Sequence, residues 1–120
     1  ILYFYPKDDT PGCTKESCNL RDNYSSLKKK GYEVIGVSKD DSTSHGKFIK
    51  KFKLPFDLIP DTEKEIVNAY NVWGKKTFMG RTFDGIIRTT FVIDETGKIE
   101  KIIRKVDTEN HTEQIINNHS

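Results

Sequence analysis

An apolar run at the start of the chain leads directly into a helix-start signal, and this junction constrains the fold more than any other feature. The continuous apolar run Ile1–Tyr5 predicts a central strand that is covered on both faces. Thr10 is a residue type that caps helices, and Pro11 suits the first helical position. The sequence therefore predicts a strand, a loop and a helix that runs to about Lys30 and is stopped by Gly31.

Both cysteines of the chain lie in this one stretch. Cys13 is predicted in the first helical turn, among backbone amides that have no partner within the helix. The partial positive charge at that end favours a thiolate over a thiol. The apolar stripe of the helix turns Cys13 toward the sheet and places Cys18 about 140° around the axis. That stripe comprises Cys13, Leu20, Tyr24 and Leu27.

The spacing of the two cysteines poses a geometric problem. Residues five apart on an ideal helix have Cα atoms roughly 8.6 Å apart, whereas a disulfide needs less than about 7 Å. Cys13 and Cys18 therefore cannot bond while the helix is intact. If they do bond, the first turns must unwind, which suits a switch or a catalytic couple better than a static crosslink.

The stretch resembles the active-site motif of peroxiredoxins, Pro-x-x-x-Thr-x-x-Cys, at Pro6, Thr10 and Cys13. With a second cysteine five residues later, it resembles the bacterioferritin-comigratory (Q) subfamily in particular. Further segments resemble that subfamily in the same order, so the resemblance covers almost the whole chain. They are Ser44–Phe48, Leu54–Phe56 and Arg88–Asp94.

The resemblance implies a thiol peroxidase. Cys13 would reduce hydrogen peroxide or an organic hydroperoxide and become a sulfenic acid. Cys18 would then attack the sulfenic acid and form an intramolecular disulfide. A dithiol reductant, thioredoxin by resemblance, would restore both thiols. The reaction needs no cofactor.

The resemblance also assigns roles around Cys13. Arg88 would stabilise the thiolate and the leaving oxygen, although the sequence alone does not separate it from other surface arginines. Glu16 would orient Arg88, or it would be a solvated acid favoured by the helix dipole. The backbone amides of Gly12 and Cys13 would complete a pocket for the peroxide oxygens.

Two further positions of the motif have a structural and a functional interpretation. Thr10 would direct its hydroxyl at the peroxide or the thiolate, or it would only cap the helix. Gly12 and Arg88 are the other substrate-binding positions that the resemblance implies. Pro6 would shield the thiolate from water, or it would merely end the strand. For Cys18, the structural alternative to the resolving role is a packing or spectator cysteine.

The pattern along the remaining chain predicts an α/β fold with a parallel half followed by a hairpin, which is typical of a thioredoxin-like three-layer sandwich with a mixed sheet. The predicted elements are a strand over 32–38, a helix over 42–53, a strand over 56–59, a helix over 63–70, an irregular excursion over 71–85 at one edge of the site, hairpin strands over 86–94 and 98–106, and a helix capped by Asp107 or Thr108 that ends near Asn117.

Composition narrows the class of protein. The 120 residues suit one domain, and a net charge of +2 argues against a nucleic-acid or membrane partner. Two cysteines do not make a disulfide scaffold and fit a reducing, cytoplasmic compartment. The histidines lack metal-ligand spacing with the cysteines, so surface positions and no metal are expected. They are His45, His111 and His119. A monomer is favoured by resemblance, and a dimer through the 71–85 edge is the alternative.

The chain begins inside a strand and without methionine. Members of the family that the chain resembles carry a hairpin and a strand ahead of the segment that corresponds to Ile1. We therefore expect this single domain, residues 1–120, to lack its N-terminal strands, and a targeting segment could be missing with them. No secretory signal is visible in the residues present.

Two other classes of function use the same thiols. A thioredoxin-like protein disulfide oxidoreductase is the first, and the lack of a C-x-x-C pair argues against it. A non-enzymatic redox or metal-binding module is the second, and the absence of a nearby histidine in the sequence pattern disfavours it.

Overall fold

A computed structural model describes residues 1–78 and 80–116, with only the backbone of Phe78. Seven strands and five helices are formed within these residues. They are β1 Leu2–Phe4, α1 Pro11–Asp22, α2 Tyr24–Lys29, β2 Ile35–Ser38, α3 Ser42–Phe52, β3 Asp57–Pro60, α4 Glu65–Ala69, β4 Trp73–Phe78, β5 Arg81–Ile86, β6 Thr89–Ile93, β7 Ile99–Ile103 and α5 His111–Ile116. No helix among them is long and apolar enough to cross a membrane.

Strand β1 is the centre of a five-stranded mixed sheet with the order β3-β2-β1-β6-β7. It pairs in parallel with β2 and antiparallel with β6, so both of its edges are covered by hydrogen bonds. The predicted central position of this strand is confirmed. It follows that the chain leaves the middle of the sheet just before the cysteine-bearing helix begins.

Side chains alternate across β1 and so build a core on each face of the sheet. Tyr3 and Tyr5 join one apolar cluster with side chains of α1, α2, α3 and α5, including Cys13. Phe4 joins a second cluster on the opposite face with Val67 of α4 and residues flanking the β4–β5 hairpin. The sheet therefore lies between two layers of packed elements, which is the predicted three-layer arrangement.

The first helix is not continuous to Lys30, and that prediction is wrong. It breaks at Asn23, whose backbone leaves the helical region at φ −108° and ψ 7°. The Asn23 side chain donates to the Asn19 carbonyl at 2.8 Å and so competes with the regular helix bonds. The predicted stop at Gly31 is confirmed, since Gly31 adopts a left-handed φ of +88° directly after α2.

The segment 71–85 is not irregular, which corrects a second prediction. It forms most of an antiparallel hairpin in which Trp73 pairs with Ile86 and Gly74 faces Gly85. The three glycines of this segment predicted a loop. Gly74 and Gly85 lie inside the strands, however, and only Gly80, at φ +76°, lies in the turn. Met79 lies outside the described residues.

Several predicted boundaries also differ from the structure. Ile86 belongs to β5, and β6 begins only at Thr89. Strands β2 and β7 and helices α3 and α4 are shorter than predicted. The last helix begins at His111, because the Asp107 carboxylate accepts from the amides of Glu109 and Asn110 in a turn ahead of it. Its predicted end at Asn117 lies outside the described residues.

A buried ionic pair holds the loop after β1 against α3. Asp8 accepts hydrogen bonds from His45 Nδ1 at 2.8 Å, from the Ser44 hydroxyl at 2.7 Å and from the Tyr5 hydroxyl at 2.6 Å. His45 Nε2 lies 3.1 Å from the Ile59 carbonyl oxygen, so both ring nitrogens donate and the ring is a cation. His45 is buried, and its predicted surface position is therefore wrong.

The pair stabilises the fold within a defined pH window. Burial by itself lowers the pKa of His45, but the hydrogen bond and charge of Asp8 outweigh it and raise that pKa above 6.5. Burial by itself raises the pKa of Asp8, but its donors, His45 foremost, lower that pKa below 3.8. The stability contributed by protonated His45 is complete below pH 6.5 and is lost as pH rises through the raised pKa of His45. The stability contributed by ionised Asp8 is complete above pH 3.8 and is lost as pH falls through the lowered pKa of Asp8.

We expect His45→Gln to reduce the free energy of unfolding by about 2–4 kcal/mol near pH 5.5, because it leaves the Asp8 carboxylate buried without a cation. The loss should shrink at alkaline pH, above the raised pKa of His45, where the wild-type imidazole has itself lost its proton. Urea unfolding at both pH values measures the difference. Lys47→Gln, at an exposed position of α3, is the matched control. Equal losses at the two pH values would contradict the ionic pair.

Candidate active site

Cys13 lies where the sequence predicts it, in the first turn of α1. Thr10 is the N-cap residue with an extended backbone, Pro11 follows at the first helical position, and the Cys13 side chain is 1% exposed. The Thr10 side chain does not cap the helix, which corrects that part of the prediction. Its hydroxyl instead donates to the Lys7 carbonyl at 2.9 Å. The first-turn amides are therefore left without a side-chain acceptor from the N-cap residue.

Arg88 reaches this turn from the opposite end of the sequence. It lies between β5 and β6, and β6 is the antiparallel neighbour of β1. Its Nη2 donates to Cys13 Sγ at 3.2 Å, and its Nη1 donates to Glu16 Oε1 at 2.7 Å. The guanidinium thus bridges the sulfur and a carboxylate on the same helix.

The burial of these groups removes two of the structural alternatives. Glu16 is fully buried, so it is not a solvated first-turn acid, and the Arg88 side chain is only 22% exposed, so it is not an ordinary surface arginine. Glu16 lies one turn after Cys13, which aligns both with one guanidinium. Of the predicted site residues, the structure brings Cys13, Glu16 and Arg88 into direct contact.

Gly12 allows the guanidinium to approach the helix. A Cβ atom at this position would lie 3.2 Å from Arg88 Nη2, tighter than most real contacts of a Cβ atom. A side chain here would require the guanidinium to shift by a few tenths of an ångström. Glycine therefore favours the close approach of Arg88, independently of the predicted role of the Gly12 amide.

Burial controls the charge on the arginine–carboxylate pair. It raises the pKa of Glu16 to about 7, although the charge of Arg88 and its hydrogen bond oppose this change. Burial also disfavours the charged form of Arg88, but the neighbouring Cys13 and Glu16 outweigh it and raise the pKa of Arg88 further above its already high ordinary value. Arg88 is thus a permanent cation beside a carboxyl group that titrates close to neutral pH.

Cys18 lies apart from this cluster. It is half-buried on α1 beside Lys15, Asn19, Asp22 and Glu109, which line a shallow depression. Burial raises the pKa of its thiol, with Asp22 acting in the same direction and Arg21 opposing both. Both cysteines are free, and α1 is unbroken from Pro11 to Asp22, as the spacing argument requires of the reduced protein.

Pro6 is half-buried directly after β1, at the start of the loop that Asp8 anchors. Its backbone cannot donate a hydrogen bond, so its position fits the end of a strand. The shielding role implied by resemblance stays a prediction.

Two titratable groups near the site could not be predicted from the sequence. His111, predicted on the surface, is fully buried, and its Nε2 lies 3.3 Å from Glu16 Oε2. Lys76 of β4 is half-buried; burial and then Arg88 lower its pKa, whereas Cys13 raises it. No local pattern marks either residue, because both reach the site only through tertiary contacts. His119 lies outside the described residues.

One group among the described residues has the clustering of metal ligands: Asp8, Asp40 and His45, whose ligand atoms lie within 4.8 Å of one another. Each already has hydrogen-bond partners, since Asp40 accepts from the Asp8 amide at 2.8 Å and from the Ser38 hydroxyl at 2.7 Å. Protein donors thus account for this cluster.

Residues 1–102 match the AhpC/TSA family. The chain is 44% identical over 117 residues to peroxiredoxin Bcp of Escherichia coli strain K12, a match that covers 98% of this chain and 75% of that protein. It is also 44% identical over 116 residues to peroxiredoxin Bcp of Bacillus subtilis strain 168, covering 97% of this chain and 74% of that protein.

Solved structures give the same result. A variant of peroxiredoxin Q from Xanthomonas campestris has a TM-score of 0.88 and 34% identity, covering 95% of this chain and 73% of that chain. The bacterioferritin comigratory protein of the same organism, studied for alkyl peroxide reduction, has a TM-score of 0.87, 33% identity and the same coverage. The predicted thioredoxin-like fold is confirmed.

The chain therefore belongs to the AhpC/TSA family and is a peroxiredoxin of the bacterioferritin-comigratory (Q) subfamily. It is thus a thiol peroxidase, and the alternatives of a protein disulfide oxidoreductase or a non-enzymatic module are set aside.

We expect Arg88→Met to slow the reaction of Cys13 with peroxide by about a hundredfold, because the thiolate loses its charged hydrogen-bond donor. The second-order rate constant for hydrogen peroxide, determined in a Cys18→Ser background, measures the loss. Arg81→Met, at an exposed position of β5, is the control and should not change this rate constant. An unchanged rate constant in Arg88→Met would argue against a role for the contact.

Proposed function

We propose that Cys13 is the peroxidatic residue and that its thiolate reduces a hydroperoxide. The observation that carries this proposal is the 3.2 Å contact between Cys13 Sγ and a permanently charged guanidinium at a helix N-terminus. The sulfur attacks one peroxide oxygen along the O–O axis, and the O–O bond breaks. The other oxygen leaves with the electron pair and takes a proton, so that the products are a sulfenic acid on Cys13 and water or an alcohol.

Arg88 acts on both ends of this step. Before the reaction its Nη2 stabilises the thiolate, and during the reaction its donors stabilise the charge that moves onto the leaving oxygen. Glu16 holds the guanidinium through the 2.7 Å bond to Nη1, so that little reorganisation is needed. The amides of Gly12 and Cys13 and the Thr10 hydroxyl complete the substrate site. For Thr10 this requires the hydroxyl to turn from the Lys7 carbonyl toward the substrate. Pro6 limits the access of water.

Cys18 completes the cycle as the resolving residue. Its sulfur attacks the Cys13 sulfenic acid, a disulfide forms and water leaves. Because both residues belong to the unbroken helix α1, the first turns must unwind before the sulfur atoms can meet. Oxidation of Cys13 removes the thiolate to which Arg88 donates, and this loss favours the unwinding.

A dithiol protein such as thioredoxin then reduces the disulfide by two exchange steps and becomes oxidised itself. The half-exposed Cys18 is the sulfur that such a reductant would reach first. Hydrogen peroxide and small organic hydroperoxides are the proposed substrates, since a similar protein of Xanthomonas campestris was studied for alkyl peroxide reduction. A monomer acting in the reducing environment of the cytoplasm fits two free thiols.

Single-turnover reaction of the pre-reduced protein with hydrogen peroxide tests the two cysteine roles. Wild type should lose two thiols rapidly, Cys13→Ser should lose none, and Cys18→Ser should accumulate a sulfenic acid 16 Da heavier than the thiol by mass spectrometry. If wild type reacted no faster than a free low-molecular-weight thiol, Cys13 would not be a peroxidatic residue.

The unwinding step has its own test. Hydrogen exchange followed by mass spectrometry should show the amides of α1 protected in the reduced protein and at least about tenfold less protected in the disulfide form. Protection in α3, which carries no cysteine, serves as the internal reference. Equal protection of α1 in the two forms would contradict the unwinding step.

A further inference from the structure

One oxygen of the Glu16 carboxyl group is not explained by the peroxidase site. Oε1 accepts from Arg88, but Oε2 is buried and has no hydrogen-bond partner among residues 1–78 and 80–116. His111 Nε2 of α5 lies 3.3 Å from this oxygen, and both side chains are fully buried. A buried, unpaired carboxylate oxygen that faces an imidazole nitrogen raises the question of which atom carries a proton.

The partners of Gln114 fix one of the two imidazole protons. Gln114 Nε2 donates to the Lys105 carbonyl at 2.9 Å, and its Oε1 accepts from the Asp107 amide at 2.8 Å. The oxygen of this amide therefore faces His111 Nδ1, at 2.9 Å. Since this oxygen can only accept, Nδ1 carries a hydrogen atom.

With Nδ1 protonated, a neutral His111 has a lone pair on Nε2. If Glu16 were ionised at the same time, this lone pair would face a carboxylate oxygen at 3.3 Å with both groups out of water, which is unfavourable. One proton on either Oε2 or Nε2 removes the conflict. The Thr90 hydroxyl lies 2.7 Å from the same Nε2; it donates to the Nε2 lone pair when the proton is on Glu16 Oε2 and can accept from Nε2 when the proton is on the imidazole.

We infer that Glu16 and His111 form a buried pair that holds one proton, and that this proton sets the charge facing Arg88 and hence the reactivity of Cys13. His111 is then a positioning residue of the peroxidase, acting through Glu16 and Arg88. The inference rests on the proposed role of Cys13 and extends it to α5, which the active-site motif does not include.

The consequence follows from the charges. With the proton present, the pair is neutral overall, and the positive charge of Arg88 acts fully on the Cys13 thiolate and on the leaving oxygen. Once the proton leaves, an uncompensated carboxylate lies 2.7 Å from Arg88 Nη1 and partly neutralises it. The reactivity of each thiolate should therefore decrease as the pair loses its proton.

The elements packed around the Glu16–His111 pair contribute further titratable groups. They are Tyr3 of β1, Cys13 of α1, Lys76 of β4, Arg88 ahead of β6 and Asp107 ahead of α5. Burial lowers the pKa of His111, and Gln114 and Asp107 oppose this change, whereas Arg88 adds to it. Burial raises the pKa of Glu16 to about 7. Both changes favour the uncharged forms, with the proton on Glu16 Oε2.

Nuclear magnetic resonance of the reduced wild-type protein tests the proton directly. The carboxyl carbon of Glu16 and the ring nitrogens of His111 should respond to one common ionisation near neutral pH, and His45 should titrate separately with a pKa above its ordinary 6.5. A Glu16 carboxyl that stays ionised beside a neutral His111 from about pH 5 to pH 9 would overturn the inference. This readout does not depend on peroxidase activity, so it fails or succeeds independently of the proposed role of Cys13.

Kinetics then test the link to reactivity, in a Cys18→Ser background with hydrogen peroxide. The rate constant per thiolate should decrease by about tenfold between about pH 6 and pH 8.5 in the reference protein, the scale of one partly screened charge. In His111→Gln the side-chain amide can donate to Glu16 Oε2 and keep the carboxylate ionised, so no such decrease is expected. The control Lys47→Gln, at an exposed position of α3, should retain the decrease. The same decrease in His111→Gln would overturn the role of His111.

Discussion

The contact of Arg88 with Cys13 is the interaction on which the rest of the site depends. It joins residues 75 positions apart, and it exists only because β1 and β6 are neighbours in the sheet. The loop after β1 delivers the helix start, and the turn ahead of β6 delivers the guanidinium. Gly12 permits the close approach and Glu16 fixes the orientation. The catalytic geometry is therefore a product of sheet topology as much as of the motif.

One helix serves two opposing requirements. Its N-terminus and its arginine partner favour the Cys13 thiolate only while the first turns are formed. The same intact turns keep Cys18 away from Cys13. A peroxidase that resolves its sulfenic acid within α1 must therefore alternate between a folded helix that reacts with peroxide and an unwound one that forms the disulfide. The break at Asn23 limits α1 to twelve residues, and α2 begins as a separate helix.

Two buried histidines show how the polar groups behind the site are held. His45 is charged and fastens the loop that precedes Thr10 through Asp8. His111 lies behind Glu16, where burial disfavours its charged form. The two histidines differ because Asp8 has several hydrogen-bond donors that keep it ionised, whereas one buried oxygen of Glu16 has no donor among the described residues. The surroundings, and not the residue type, decide which charge each histidine carries.

The sequence by itself determined the central strand, the helix start at Pro11, the place of Cys13 in the first turn and the conflict between an intact helix and a disulfide. These depend on local periodicity, capping preferences and helix geometry, which act over a few residues. The motif also pointed to Glu16 and Arg88, but only packing showed that they touch. The β4–β5 hairpin, the break at Asn23 and the burial of His45 and His111 were decided by the tertiary structure. Their physical causes are cross-strand pairing, a side chain that competes for a carbonyl, and charges supplied by distant elements, which no local pattern encodes.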